Sequence, residues 1–356
     1  MKYICVADAF VTENMMVEGI TPYISQGDTL DVFYFGEKDR SKMRNTVKAI
    51  ESLQRDNLEI PEELYVKIAD CDVLIVHLCP VTKRLLEKAN QLKAILSCRG
   101  GVENIDLDYA TQKSIIVTTD PAHNANAVAE YTIGLMICET RNIARSNIAL
   151  KSGFWREEFP NTVSEIREIK DLTIGIIGFG SVGRLVAEKL SVFGCKILVY
   201  DPYISESAYD YINYRIVNID TVLSQSDIIS LHARSTIPII TKNEFIKMKS
   251  TAYLINTARS ILVKIEDLCE ALSEKRILGA AIDVFESEPN IPEIYKSFDN
   301  LTVTNHRGGD TINSYKDAPI FAIKNYLNFL NGERLRFWVN KDSIILGANH
   351  KMLRNK

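Results

Sequence analysis

Short apolar runs alternate with longer amphipathic ones along the first 118 residues. Tyr3–Ala7, Val32–Phe35, Val73–His77, Ala94–Ser97 and Ile115–Thr118 are brief, rich in β-branched side chains and bounded by polar or turn residues, which predicts strands. Helical patterns at Arg40–Leu58 and Thr82–Asn90 fall between them. Strand and helix in alternation imply a parallel sheet covered on both faces. Asn124–Leu150 predicts one long helix, with Val128, Tyr131, Ile133, Leu135, Met136 and Ile137 spread over more than one face. Such a helix must be covered on several sides, within a domain or at a subunit interface. Lys151–Asp171 is charged and irregular, with Gly153 and Pro160, and is expected to be a surface connection.

A second alternation then begins. Six strands are expected at Thr173–Ile177, Lys196–Tyr200, Ile228–Leu231, Ala252–Ile255, Gly279–Ala281 and Leu301–Val303, followed by a helix over Asp310–Asn331. The five-stranded first domain needs cover, so that helix is expected to return to it. The expected fold class is α/β with two doubly wound parallel-sheet domains. A Rossmann domain over 121–305 is inserted into a discontinuous flavodoxin-like domain over 1–120 and 306–340, and 341–356 forms a slightly basic surface tail.

Composition narrows the function. A chain of 356 residues suits two domains, and 46% hydrophobic with 25% charged residues excludes a mainly disordered or collagen-like chain. A net charge of −4 offers no global basic field for nucleic acid or acidic lipid. No apolar run is long enough for a transmembrane helix, and the N-terminus lacks a signal-peptide core. Seven widely spaced cysteines without a C-x-x-C pair point to free thiols and a cytoplasmic location. No cluster of histidines and cysteines suggests a zinc site, so no metal is expected.

The strongest local signal is Gly178-Phe-Gly180-Ser-Val-Gly183, which follows an apolar strand and opens the helical run Ser181–Phe193. Gly178 permits the tight turn, Gly180 lets backbone approach a pyrophosphate, and Gly183 lets helix pack on strand. The helix N-terminus offers unpaired N–H groups to phosphate. Asp201 ends the next strand, where a carboxylate accepts hydrogen bonds from ribose hydroxyls and repels a 2′-phosphate, favouring NAD (NAD⁺/NADH) over NADP.

Hydride transfer to or from a carbon bearing oxygen also moves a proton, so it needs an acid/base group and a positive charge for that oxygen. In open α/β sheets both belong at the carboxyl ends of strands. Arg259 follows a strand in Asn256-Thr-Ala-Arg259 and is suited to hold a carboxylate two-pronged. His306 stands after the last strand, and a histidine can donate a proton in one direction and accept it in the other. Glu288, in Asp283-Val-Phe-Glu-Ser-Glu288-Pro289, is expected as a buried carboxylate supporting that imidazole.

Taken together, these strings resemble the D-isomer-specific 2-hydroxyacid dehydrogenase family, which includes phosphoglycerate dehydrogenase, glyoxylate/hydroxypyruvate reductase and D-lactate dehydrogenase. The resemblance runs from about residue 70 to about 330 and also draws on Arg99-Gly-Gly-Val-Glu-Asn-Ile-Asp106, Asn124–Glu130 and His306–Gly309. It implies that Arg259, Glu288 and His306 are the catalytic trio. It implies that the N–H groups of Gly100, Gly101 and Val102 hold the substrate carboxylate beside Arg259. Ser181 and Val182 would contact the pyrophosphate, Thr257 would line the nicotinamide site, Asp283 would meet the carboxamide, and His232 would flank the cofactor. The implied activity is NAD-dependent interconversion of a 2-keto acid and a D-2-hydroxy acid by a homodimer, with no nucleic-acid or membrane partner.

Departures from the family pattern bear on the substrate. Ser260 replaces a usual glycine, Asn305 and Arg307 flank the histidine where proline and a small residue are usual, and Ala233-Arg234 follow His232 where proline is common. Arg234 and Arg307 either meet an extra anionic group or pair with Glu286 or Asp310. His77 stands where phosphoglycerate enzymes commonly carry arginine, which weakens that assignment. Phosphoglycerate dehydrogenase specifically, and an NAD-sensing corepressor-like protein, remain the alternative readings; Glu288 in place of glutamine argues against a formate dehydrogenase.

Overall fold

The computed structural model describes residues 1–51, 54–161, 166–204 and 214–344. Two compact units divide the chain, Met1–Asn124 with Thr311–Lys356, and Ala125–Asp310. Most of the tail expected over 341–356 lies outside the described residues.

In the first unit five parallel strands, β1 (Lys2–Ala7), β2 (Thr29–Tyr34), β3 (Val73–Val76), β4 (Ala94–Ser97) and β5 (Ile116–Thr118), lie in the order β2-β1-β3-β4-β5. Alternate residues go to opposite faces, as a pleated strand requires. Tyr3, Cys5, Val73, Ile75, Ala94 and Leu96 pack under α1 (Glu13–Ile20) and α12 (Ile312–Leu330). Ile4, Val6, Leu74, Val76, Ile95 and Val117 face α2 (Arg40–Glu51), α3 (Glu62–Lys67), α4 (Lys83–Lys88) and α5 (Leu107–Gln112). Burial on both faces is why these strands read as continuous apolar runs. The helix expected over Asp310–Asn331 is α12 and belongs to this unit. Its Pro319 ring lies 3.1 Å from where a β-carbon on Gly19 of α1 would stand, so glycine sets that close approach. Asn340 then ties the segment after α12 to β5, accepting from Val117 N at 3.0 Å and donating to Ile115 O.

The second unit carries β6 (Thr173–Ile177), β7 (Lys196–Tyr200), β8 (Arg215–Ile216), β9 (Ile228–Leu231), β10 (Tyr253–Asn256), β11 (Gly279–Ile282) and β12 (Leu301–Val303), all parallel. Their order is β12-β11-β10-β9-β6-β7-β8. Among the described residues seven strands stand where six were expected, because β8 has only two residues and no apolar run announces it. Helices α6 (Ala125–Thr140) and α8 (Ser181–Ser191) cover one face. Helices α9 (Ile219–Gln225), α10 (Lys242–Lys247) and α11 (Ile265–Ser273) cover the other.

The single helix expected over Asn124–Leu150 is broken. Asn142 adopts a left-handed conformation (φ 56°) between α6 and α7 (Ile143–Lys151). The break turns Arg145 inward, where it pairs with Glu139 and donates to the carbonyl oxygens of Asp299 and Glu139. Glu139 is fully buried and also accepts from Thr302 Oγ1 at 2.5 Å. A β-carbon on Gly279 would overlap the Glu139 carboxylate, so glycine there leaves it room. The connection after α7 is not wholly superficial. Asn161 is buried, donates to Thr140 O at 3.1 Å and Tyr253 OH at 2.7 Å, and accepts from Asn142 Nδ2 at 2.6 Å. In contrast, Ile143, Ile148, Leu150, Phe154 and Trp155 leave an exposed apolar strip along α7 and the residues after it.

Removing one partner of a buried ion pair leaves the other charge uncompensated. Glu139→Ala is expected to destabilise the protein by about 3–5 kcal/mol in denaturant unfolding. A loss below about 1 kcal/mol would mean that Arg145 finds water or another acceptor.

Candidate active site

The turn between β6 and α8 sits at the place where strand order reverses in the second sheet, beside the carboxyl end of β9. Gly178 has φ 95°, and a β-carbon there would stand 2.6 Å from Ala233 Cα and from the His232 carbonyl carbon. At Gly183 a β-carbon would overlap the Gly178 carbonyl, which is the close helix–strand contact expected of the third glycine. At Gly180 a β-carbon would meet nothing within 4 Å. That open side adjoins the first turn of α8, where Ser181 and Val182 carry the leading N–H groups. These features fit a dinucleotide pyrophosphate.

Asp201 ends the neighbouring strand. One of its oxygens accepts from Phe179 N at 2.7 Å and the other from Tyr203 N at 2.9 Å. It therefore braces the glycine turn, and its remaining lone pairs are those available to ribose hydroxyls. His232 closes the turn from the β9 side. Ser230 Oγ lies 2.9 Å from its Nε2, whereas the buried Nδ1 has no hydrogen-bond partner among the described residues. Burial pushes its pKa down to about 3, so the ring is neutral. An unpaired buried ring nitrogen is costly unless a ligand completes it.

The acid/base candidates gather at the carboxyl ends of three adjacent strands, β10, β11 and β12. His306 follows β12 with φ 54°, a conformation uncommon outside glycine. Its Nδ1 lies 2.8 Å from Glu288 Oε2, and Glu288 Oε1 accepts from Phe285 N at 2.8 Å. The expected burial of Glu288 is not found. Its side chain is 30% exposed and that of His306 58%. Arg259 follows β10 in extended conformation, its carbonyl accepting from Asn256 Nδ2 at 2.9 Å. Thr257 is buried with its Oγ1 2.7 Å from Thr132 Oγ1 of α6.

Asp283 does more than the sequence suggested. Buried at the end of β11, it accepts from Thr304 Oγ1 (2.6 Å), Arg307 N (3.0 Å) and Gly308 N (2.8 Å). Three bonds from both sides of His306 hold that loop in its left-handed bend. Arg307 pairs with Asp310 at 2.9 Å, which settles one of the two open arginines in favour of an internal partner. Arg234 is exposed.

Gly100, Gly101 and Val102 follow β4 in the first unit. A β-carbon on Gly100 would stand 3.4 Å from Pro121 Cα, and one on Gly101 would overlap the Glu103 carboxylate. The buried Asn104 anchors this loop to the one after β3, donating to Cys79 O at 2.9 Å and His77 O at 3.3 Å. The partner of His77 escaped the sequence reading. Its Nδ1 lies 2.9 Å from Asp8 Oδ2, and Asp8 also accepts from Phe10 N, Val11 N and Leu78 N. Burial alone would raise the Asp8 pKa, but His77 and those backbone donors hold it below the usual carboxylate value. The available signal was an aspartate placed directly after an apolar strand. All seven cysteines are free thiols, no metal-binding group occurs among the described residues, and no described helix is long and apolar enough to cross a membrane.

The comparisons with known proteins agree with this geometry. The family model for the D-isomer specific 2-hydroxyacid dehydrogenase NAD binding domain matches residues 133–308. The chain is 37% identical over 289 residues to a D-3-phosphoglycerate dehydrogenase of Methanocaldococcus jannaschii, covering 80% of this chain but only 54% of that protein. It is 37% identical over 293 residues to a glyoxylate reductase of Thermofilum pendens, covering 79% of this chain and 85% of that one. The crystal structure of D-lactate dehydrogenase with NAD⁺ from Lactobacillus jensenii superposes with a TM-score of 0.71 at 27% identity, over 95% of this chain and 99% of that one. Glycine turn, acid/base edge and these relatives converge: the chain belongs to the D-isomer-specific 2-hydroxyacid dehydrogenases, a family of NAD-dependent oxidoreductases.

Proposed function

We propose that this protein reversibly interconverts a 2-keto acid and a D-2-hydroxy acid, with Arg259, Glu288 and His306 as its reacting trio. The observation that carries the reading is the 2.8 Å contact between His306 and Glu288, on the same sheet edge as Arg259. NAD, when bound, supplies or accepts the hydride. Gly178, Gly180, Ser181, Val182 and Gly183 would hold its pyrophosphate, with Asp201 toward the adenosine ribose. His232, Thr257 and Asp283 would lie nearer the nicotinamide, and the orphan Nδ1 of His232 supports that assignment.

The hydrogen bond from Nδ1 to Glu288 leaves Nε2 of His306 to face the reacting oxygen. During reduction the doubly protonated ring gives its Nε2 proton to the carbonyl oxygen. During oxidation the neutral ring, keeping its proton on Nδ1, takes the hydroxyl proton at Nε2. Glu288 stabilises the charged ring and fixes its tautomer. Arg259 grips the carboxylate, and its guanidinium polarises the adjacent carbonyl.

The same reading makes a second copy of the chain its protein partner. The exposed strip Ile143, Ile148, Leu150, Phe154 and Trp155 supports it, since such apolar strips mark interfaces. A net charge of −4 gives no footing for a nucleic-acid role. The free cysteines suit a reducing compartment, here taken to be the cytoplasm.

Replacing His306 with alanine should lower turnover of 2-keto acids by about 10²- to 10⁴-fold, with NADH affinity nearly unchanged by fluorescence titration. Undiminished turnover would remove His306 from the mechanism. Steady-state rates with NADPH should fall at least about tenfold below those with NADH if Asp201 reads the ribose. Asp283→Asn should cost about 1–3 kcal/mol of stability and speed hydrogen exchange at the Arg307 and Gly308 amides. Sedimentation should report a dimer for the wild type and a monomer for the Ile148→Glu/Trp155→Glu double variant. A monomeric wild type at micromolar concentration would discard the dimer.

A further inference from the structure

The first sheet has its own reversal of strand order, between β1 and β3. Ligands in doubly wound sheets bind outside the carboxyl ends of the strands at such a point. Here that point holds Asp8 and Phe10 after β1 and His77 after β3. Phe10, His77 and Tyr315 of α12 form an aromatic platform, with centroid separations of 5.5, 6.1 and 6.3 Å. Arg40 of α2 lies across it, its guanidinium carbon 5.6 Å from the Phe10 ring and 5.4 Å from the Tyr315 ring. Its Nε donates to Ala9 O at 3.0 Å.

We propose that Arg40, steadied on the Phe10–Tyr315 platform beside the Asp8–His77 pair, reads a second anionic group at the far end of the substrate. The inference rests on the proposed function and names its substrate class: 2-keto acids whose distal end carries a carboxylate or a phosphate.

Three observations support it. First, the guanidinium is pre-positioned. Two rings and one carbonyl hold the guanidinium, while Arg40 as a residue is exposed, so little ordering is left to lose on binding. A surface cation–π contact is weak, so stacking alone gives no reason for this arrangement to fall at the switch point. Second, the negative charge already there is engaged. Asp8 has four donors at 2.8–3.2 Å, including the His77 ring, while a second guanidinium, that of Arg44, lies 5.8 Å from the Phe10 ring, so positive charge is concentrated at the platform. Third, the spacing suits one molecule. The glycine loop expected to hold the 2-keto carboxylate follows β4, and Asn104 ties it to the His77 loop after β3. Since β4, β3 and β1 are adjacent, the rim from that loop to Arg40's anchor at Ala9 crosses two strand spacings, about 10 Å. The arginine side chain reaches back over part of it. A keto acid ending in a methyl group close to its carbonyl would leave this fork unused.

The test compares kcat/KM with NADH for 2-oxoglutarate, oxaloacetate and 3-phosphohydroxypyruvate against pyruvate, 2-oxobutyrate and 2-oxopentanoate. At least one dianionic keto acid should be favoured tenfold or more over the uncharged-tail acids, and the phosphate and dicarboxylate arms show which oxyanion is read. Arg40→Met, which keeps an apolar stem on the rings, should raise KM for the favoured acid about tenfold or more, leaving its kcat and the kinetics of 2-oxobutyrate within about twofold. Arg40→Lys, which restores charge without the fork, should recover part of the loss. Equal or better use of uncharged-tail acids by the wild type, or unchanged selectivity in Arg40→Met at unchanged NADH affinity, would overturn the inference while leaving the proposed reaction standing. Failure to reduce any 2-keto acid would overturn the proposed reaction and this inference with it.

Discussion

Both sheets are wholly parallel, and that constraint governs everything else. A parallel strand cannot turn straight back, so each is followed by a crossover and each carboxyl end opens into a loop on the same edge. Glycine turn, imidazole, carboxylate and guanidinium, far apart in sequence, are thereby delivered to one edge of one sheet. Burial of both faces makes the placement rigid. Side chains such as Ile174, Ile176, Leu254 and Ala281 are fully buried, so a strand that shifted by one residue would move every apolar group to the wrong layer.

On that frame a few buried polar groups make local decisions. Asp283 is the clearest case. Its carboxylate joins Thr304, Arg307 and Gly308, which surround His306 on both sides. A histidine at φ 54° is less stable there than in an ordinary extended or helical conformation. The three bonds to Asp283 offset that and fix the direction in which the ring leaves the backbone. Glu139 plays a comparable part at the α6–α7 break, where its pairing with Arg145 bends the chain at Asn142.

Much of this was legible in the sequence, for a physical reason. Fully buried parallel strands announce themselves as apolar runs, and glycines needed for a turn and two close approaches leave a fixed spacing. The glycine motif and the five strands of the first sheet could be read that way. Most short helices could not. α3 and α5 have six residues each, too few for a periodicity to emerge, whereas α4, equally short, was covered by the helical pattern at Thr82–Asn90. β8 has two residues, and the α6–α7 break depends on a buried arginine that sequence alone reads as a surface charge. Partnerships were harder still. Asp8 and His77 are 69 residues apart, and nothing local says that one will hold the other. The second role of Asp283 was hidden likewise, because an aspartate after a strand looks the same whether it faces a ligand or a loop.

Two carboxylate–imidazole pairs therefore stand at carboxyl-end rims of this protein, and their surroundings separate their work. Glu288 and His306 are partly open to solvent, so the ring can exchange its proton with water between turnovers. Asp8 and His77 are almost wholly buried, and Asp8 already has four donors. A pair so enclosed is poorly placed to trade protons, because changing its charge would disturb a saturated network in a region of low dielectric. What it does well is hold a ring at a fixed angle against Phe10 and Tyr315. The same two functional groups thus give a proton carrier where water reaches them and a rigid wall where it does not, and exposure rather than residue identity decides which.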